Sequence, residues 1–278
     1  MFNGFLSHLA SSGPIIHITA LPLFKFHGLT ITNSMFYGWI CALVIIIIMI
    51  TVAHKVTIKP KRGFIQLVEA VVEFITNLVE SSFEDRSKGR KYVPYFVTLF
   101  VFLLMNNWLG LVPGVGEAFS YHGNPLLRPF TGDLNATLAA GVITMIMVYS
   151  SSIREAGFKK YIKHFFIGSP LNPMYLLLGL IEMLTDFTRV ISLSIRLFLN
   201  VTIGEIIIAV FSYLGGFLAP LTATPFTLIE LFVGALQAYI FVILSLMYLA
   251  IAVNHTTAHE DLTDDSVPET ISLEPESA

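Results

Sequence analysis

Glu182, Asp186, Arg189, Arg196, Glu205 and Glu230 stand inside two long apolar runs near the end of the sequence. On insertion scales a charge at the centre of a bilayer costs about 2.5 to 3.5 kcal/mol, so residues of this type are kept there for a partner or a function. At about 100° per residue, Glu182, Asp186, Arg189 and Asn200 fall between about 20° and 80° to one side of Arg196, and Ser192 about 40° to the other. They share one helix face. Glu205 falls about 180° round from Arg196 and about 13.5 Å along the axis, whereas Glu182 lies about 21 Å in the opposite direction. In the last run Glu230, Gln237 and Tyr248 form a stripe, with Gln237 within about 20° of each of the other two.

The chemistry that fits is a proton path. Carboxylates and amides can line two water-filled half-cavities, each open to one side of a membrane, with a permanent cation between them. Arginine suits that place because its pKa above about 12 keeps it charged where a desolvated lysine turns neutral. Its charge drives a nearby carboxylic acid toward the deprotonated form and stops protons from passing straight through. The structural alternative is that Arg196 pairs with an acid in a helix bundle and only fixes packing. Spacing opposes this within one helix, since Glu182 at about 21 Å and Asp186 at about 15 Å lie beyond side-chain reach. Asp186 and Arg189, three residues apart, have the spacing of an ion pair.

The elements that position these residues follow from composition. The chain has 278 residues, 55% of them apolar or aromatic and only 13% charged, with a mean hydropathy of +0.75. That is an all-α polytopic membrane protein with no room for a sizeable soluble catalytic domain. The net charge of -3 carries no basic footprint for nucleic acid. Cys41 is alone and forms no intrachain disulfide. Residues 1–23 contain no Lys or Arg and so offer no basic n-region of a removable leader, and 34–53, 92–112 and 134–152 are expected to cross the membrane. Residues 63–84 read instead as an amphipathic helix lying in the interface, with Gln66, Glu69, Glu73, Thr76, Asn77, Glu80 and Glu84 on one arc.

Three clusters of four, at Lys55–Arg62, Arg86–Lys91 and Arg154–Lys163, hold most of the 16 basic residues. They put the N-terminus outside and the acidic tail, 255–278, in the cytoplasm. Residues 173–213 contain no internal Pro and no paired Gly, so one helix of about 61 Å is expected, twice the hydrocarbon thickness and therefore strongly tilted. After Gly215-Gly216 and Pro220, a second long helix is expected over 225–254, with Pro225 in its first turn. Five membrane-crossing helices and one interfacial helix result, the last two forming a long tilted hairpin.

With these residues assembled, SLSIRLFLNVTIGE (Ser192–Glu205) and ELFVGALQAYIFVILSLMYLAIA (Glu230–Ala252) resemble subunit a of F-type ATP synthases. NNWLGLVPG (Asn106–Gly114) and DLNATLA (Asp133–Ala139) extend the resemblance over nearly the whole chain outside its termini. The resemblance implies a stator role, in which the two last helices curve against the rotating ring of c subunits. It carries the family's essential arginine onto Arg196, its amide onto Gln237 and its asparagine onto Asn200. Glu205 and Glu230 are implied as a functional pair in the outer half-channel, Glu182 as a polar position of the inner one, and Ser192 as a small residue beside the arginine. Asp186 is added to the path from its facing alone. The implied partners are the c-ring, the b subunits of the peripheral stalk, the other subunits of the complex and the lipid bilayer. No cofactor is implied. The translocated ion is a proton or, in some relatives, sodium. Leu199 stands where some bacterial members have Gly, and residues 1–33 match nothing in the family.

The sequence contains no G-x-x-x-x-G-K-[ST] loop, which leaves ATP chemistry to other subunits and makes this chain a non-catalytic part of an enzyme complex. An ion-coupled secondary transporter is the alternative, but such folds show inverted repeats and helices broken near the midplane. An intramembrane hydrolase needs a nucleophile with a base or a metal pair, and the carboxylates here flank an arginine instead. His255 and His259 have metal-pair spacing without an H-E-x-x-H pattern. A bacterial inner membrane is the expected location, with an organelle inner membrane of the same polarity as the alternative.

Overall fold

A computed structural model describes residues 21–26, 29–55, 63–112, 120–121, 124–125, 127–156 and 173–264. The stretch of basic loop at 157–172 and the tail beyond 264 lie outside them. The first described element is a hairpin, β1 (Pro22–Phe26) paired antiparallel with β2 (Leu29–Thr32). It joins directly to α1 (Asn33–Lys55), where Leu21 and Asn33 exchange hydrogen bonds of 3.0 and 3.1 Å. A two-residue pair, β3 (Ser120–Tyr121) with β4 (Asn124–Pro125), lies in the polar stretch after Gly110.

Next comes α2 (Phe64–Ser81), which presents Val68, Ile75 and Val79 to the interior and leaves Gln66, Glu69, Glu73 and Asn77 exposed. That is the polar arc expected of an interfacial helix. The basic segment after it is not simply loop. It forms a short helix, α3 (Arg86–Arg90), because the Asp85 side chain accepts the Ser87 amide at 2.8 Å and caps its start.

The remaining elements are α4 (Val93–Gly110), α5 (Leu134–Ala156), α6 (Pro173–Gly215) and α7 (Ala219–Asp264). Among the described residues α1, α4 and α5 are long and apolar enough to cross a membrane, and Phe187–Ile251, through α6 and α7, is apolar enough as well. The protein is an all-α polytopic membrane protein apart from its two small hairpins. The interior is built where α4, α6 and α7 meet α2, with Ile75, Phe96, Leu103, Leu197, Phe241, Leu246 and Leu249 fully buried. On the side of the basic clusters, Tyr92 Oη donates to Glu155 at 3.1 Å and Lys91 pairs with the same carboxylate at 3.5 Å, tying the start of α4 to the end of α5.

Helices α6 and α7 form the expected hairpin. Its connection is a single 3-10 turn, Gly216–Leu218, made possible by Gly216 at φ 52°. The two helices run antiparallel in a register marked at several levels. Thr222 packs where a side chain on Gly215 would begin, Phe211 stacks on Phe226 at 3.9 Å, and the Arg189 guanidinium lies 3.5 Å over the Tyr248 ring. At 1.5 Å per residue they are about 64 and 69 Å long, which a hydrocarbon layer of about 30 Å accommodates only at a steep tilt.

Two boundaries of α7 differ from the sequence expectation. It begins at Ala219 rather than Pro225, leaving Pro225 inside the helix. Pro220 takes the first-turn place instead, and hydroxyls serve the backbone around the inner proline: Thr224 donates to Pro220 O and Thr227 to Ala223 O at 3.1 Å. At the other end α7 continues past Asn254 to Asp264, into the segment expected to be tail. No Gly or Pro interrupts that stretch, so nothing in it stops the helix.

Candidate functional site

The face of α6 predicted from spacing is the wall of an open groove of ≈ 670 Å³, lined by Thr188, Ser192, Arg196, Leu199, Asn200 and, from α7, Gln237 among others. Ser192 and Arg196 are exposed, and Gln237 is buried. The Asn200 Nδ2 and Gln237 Nε2 atoms are buried and make no hydrogen bond among the described residues. Among the described residues no carboxylate forms an ion pair with Arg196. The side chains of Glu182 and Asp186 lie outside the described set, so their place on this face is fixed by the helix only. The Asp186–Arg189 pair expected from spacing therefore lies outside it too, and the Arg189 guanidinium stacks on Tyr248.

Glu205 points the other way, as its 180° offset requires. Its two carboxylate oxygens lie 3.7 Å from the point where a side chain on Gly132 would begin, in the turn that precedes α5. Glu230 comes to the same place from α7. Its carboxyl group occupies the space that a Cβ on Gly204 would need, so only glycine at that position lets α7 bring the acid against the α6 backbone beside Glu205. The two carboxylates are electrostatic neighbours. The structure thus brings Arg196, Ser192, Asn200 and Gln237 together on the open groove, and Glu205 and Glu230 together on the opposite side.

Spacing alone missed several residues that build this second cluster. Arg128 is 5% exposed, donates through Nη2 to Gly132 O at 2.8 Å, and its charge acts on Glu205. Tyr37 of α1, also buried, is within electrostatic reach of Glu205. Asp133 accepts from Ser34 Oγ at 2.5 Å and from the Asn135 amide at 3.0 Å, locking the turn to α1 and to the start of α5. On α4, Asn107 Nδ2 donates to Gly234 O at 2.9 Å and Trp108 Nε1 to Leu231 O at 3.0 Å, gripping the α7 backbone between Glu230 and Gln237. The sequence signal was present in part. Arg128 is a lone cation in a polar loop, and Asn107, Trp108 and Asp133 fall within the two shorter segments that carried the resemblance.

No group of three or more His, Cys, Asp or Glu among the described residues could hold a metal ion. What the arrangement offers is proton chemistry: a fixed guanidinium with amide donors on one face and paired acids on the other. Fold and site together define a polytopic membrane protein organised around a charged helical hairpin.

Comparison with known proteins narrows that class. The profile of the family described as ATP synthase A chain matches residues 35–250. ATP synthase subunit a of Chlorobium phaeobacteroides (strain DSM 266) is 32% identical over 250 residues, covering 85% of this chain and 68% of the relative. The subunit of Moorella thermoacetica is 29% identical over 235 residues, 84% and 96% of the two chains, and that of a Sulfurihydrogenibium species 35% identical over 187 residues, 67% and 81%. The chain belongs to the ATP synthase A chain family, the subunit a of the Fo membrane sector.

Proposed function

We propose that this chain is the stator half of the Fo motor, giving ions access to rotating ring carboxylates through two offset aqueous half-channels separated by Arg196. The observation that carries the reading is the groove: Arg196 is exposed on α6 beside two buried amide donors, Asn200 and Gln237, that have no partner among the described residues. A guanidinium so presented attracts a carboxylate arriving from outside the chain and favours its ionised form. The ring of c subunits, running along residues 173–213 and 225–254, supplies that carboxylate. Glu205 and Glu230 serve the half-channel on the outer side, while Glu182, Asp186 and Ser192 extend the path toward the cytoplasm. The ion neutralises a ring acid from one side, rides a nearly complete rotation, and is released where Arg196 forces ionisation. ATP chemistry belongs to other subunits, and the b subunits and the rest of the complex hold this chain against the ring. The N-terminus lies outside and the C-terminus in the cytoplasm of a bacterial inner membrane.

The test is ion-driven ATP synthesis and passive proton leak in vesicles carrying the whole complex. Arg196→Ala is expected to lower synthesis by more than about tenfold, worth about 1.4 kcal/mol or more of coupling, and to open a leak. Arg196→Lys is expected to fail in synthesis with less leak, since a charge remains. Full synthesis in the alanine variant overturns the assignment and favours an ion-coupled transporter.

A further inference from the structure

The outer acid pair is faced by a charge that this path does not use. Arg128 lies in the turn ahead of α5, nearly fully buried, and a guanidinium is kept in such a place only with hydrogen bonds and a countercharge. One hydrogen bond closes the turn on itself, from Nη2 to Gly132 O. At the point where a side chain on Gly132 would begin, Arg128 Nε stands 3.8 Å away and both Glu205 oxygens 3.7 Å away. The bare backbone of Gly132 is what lets the two side chains converge. Asp133, nearer in sequence, is engaged by Ser34 and by the Asn135 amide. Because that turn is fastened to α1 and α5 and also packs against α6, Arg128 is held still with respect to Glu205.

We propose that Arg128 is a positioning residue for the outer half-channel, a fixed guanidinium that holds the Glu205 carboxylate at the Gly132 turn in line with Glu230. Glu230 rests on Gly204 while Glu205 shares the Gly132 turn with Arg128, so the cation stands beside one acid of the pair and makes the two inequivalent. The inference rests on the reading of Glu205 as a proton carrier. It differs from the role of Arg196, which lies on the opposite face of α6 and is exposed to the groove.

ATP-driven proton pumping by the assembled complex in inverted vesicles tests it, with subunit content measured in every preparation. Arg128→Gln keeps a donor for Gly132 O but removes the charge, and is expected to reduce pumping at least about tenfold, while Arg128→Lys keeps the charge and retains at least about a third. Gly132→Val leaves both charges but wedges them apart, and is expected to reduce pumping at least about fivefold. Wild-type pumping in Arg128→Gln or in Gly132→Val overturns the proposal, and so does an Arg128→Lys complex as defective as Arg128→Gln. If Arg128→Gln does not assemble, the lysine and valine variants decide alone. An Arg196→Ala arm separates the two readings: pumping there sinks the stator reading itself, whereas its loss together with intact pumping in Arg128→Gln sinks only the role of Arg128.

Discussion

A methyl group added at Gly204 meets the Glu230 carboxyl group head-on, so at the scale of single residues this glycine sets where an acid of α7 can sit. Gly204→Ala is expected to lower ATP-driven pumping at least about fivefold without loss of assembly, because the acid moves while the helices stay packed. Adding Glu230→Asp, one methylene shorter, is expected to restore part of the loss. A fluorescence-quench pumping assay on the three variants checks both statements, and equal defects in the single and double variants would count against steric seating. Residues at this scale were unevenly legible. Arg196, Ser192 and Asn200 follow from helical spacing, since one rotation per residue fixes which of them share a face, whereas Gln237 stands on α7 and reaches that face through the packing of the hairpin. Arg128 and Tyr37 do not, because their approach to Glu205 depends on how a turn and a different helix pack against α6, and no period in the sequence encodes that.

At the scale of elements, α4 is the part that fixes the hairpin from behind. Asn107 is 4% exposed and its Nδ2 donates to Gly234 O across the interface, and a hydrogen bond of this kind contributes about 0.5 to 1.5 kcal/mol net. Asn107→Leu is expected to lower the thermal stability of the assembled complex, read as earlier release of this subunit from detergent-solubilised complex, while Trp108→Phe, at a more exposed bond, is expected to have a smaller effect. Element types were legible because apolar runs with basic flanks are strong signals. The start of α7 was not: a proline usually marks a first turn, but the helix begins at Ala219 and carries Pro225 in its interior. Its far end at Asp264 shows the reverse case, where polar composition suggests a tail but no residue breaks the helix.

At the scale of the whole molecule, the basic clusters around Arg86 and Arg154 predict a single orientation. In a Cys41→Ser background, Lys25→Cys is expected to react with an impermeant thiol reagent from the outer side, and Arg86→Cys, at an exposed position, only from the cytoplasmic side. The opposite pattern of labelling would invert the two half-channels and with them the assignment of Glu205 and Glu230. The register of the hairpin has a mechanical consequence as well. Gly215 against Thr222, Phe211 against Phe226, Gly204 against Glu230 and Arg189 against Tyr248 are four rungs spread over most of the length of two crossed rods. Shear between the rods must break a rung, so a sideways drag applied to the open groove is shared by both helices as by one plate, which α4, through Asn107 and Trp108, and α5 back together.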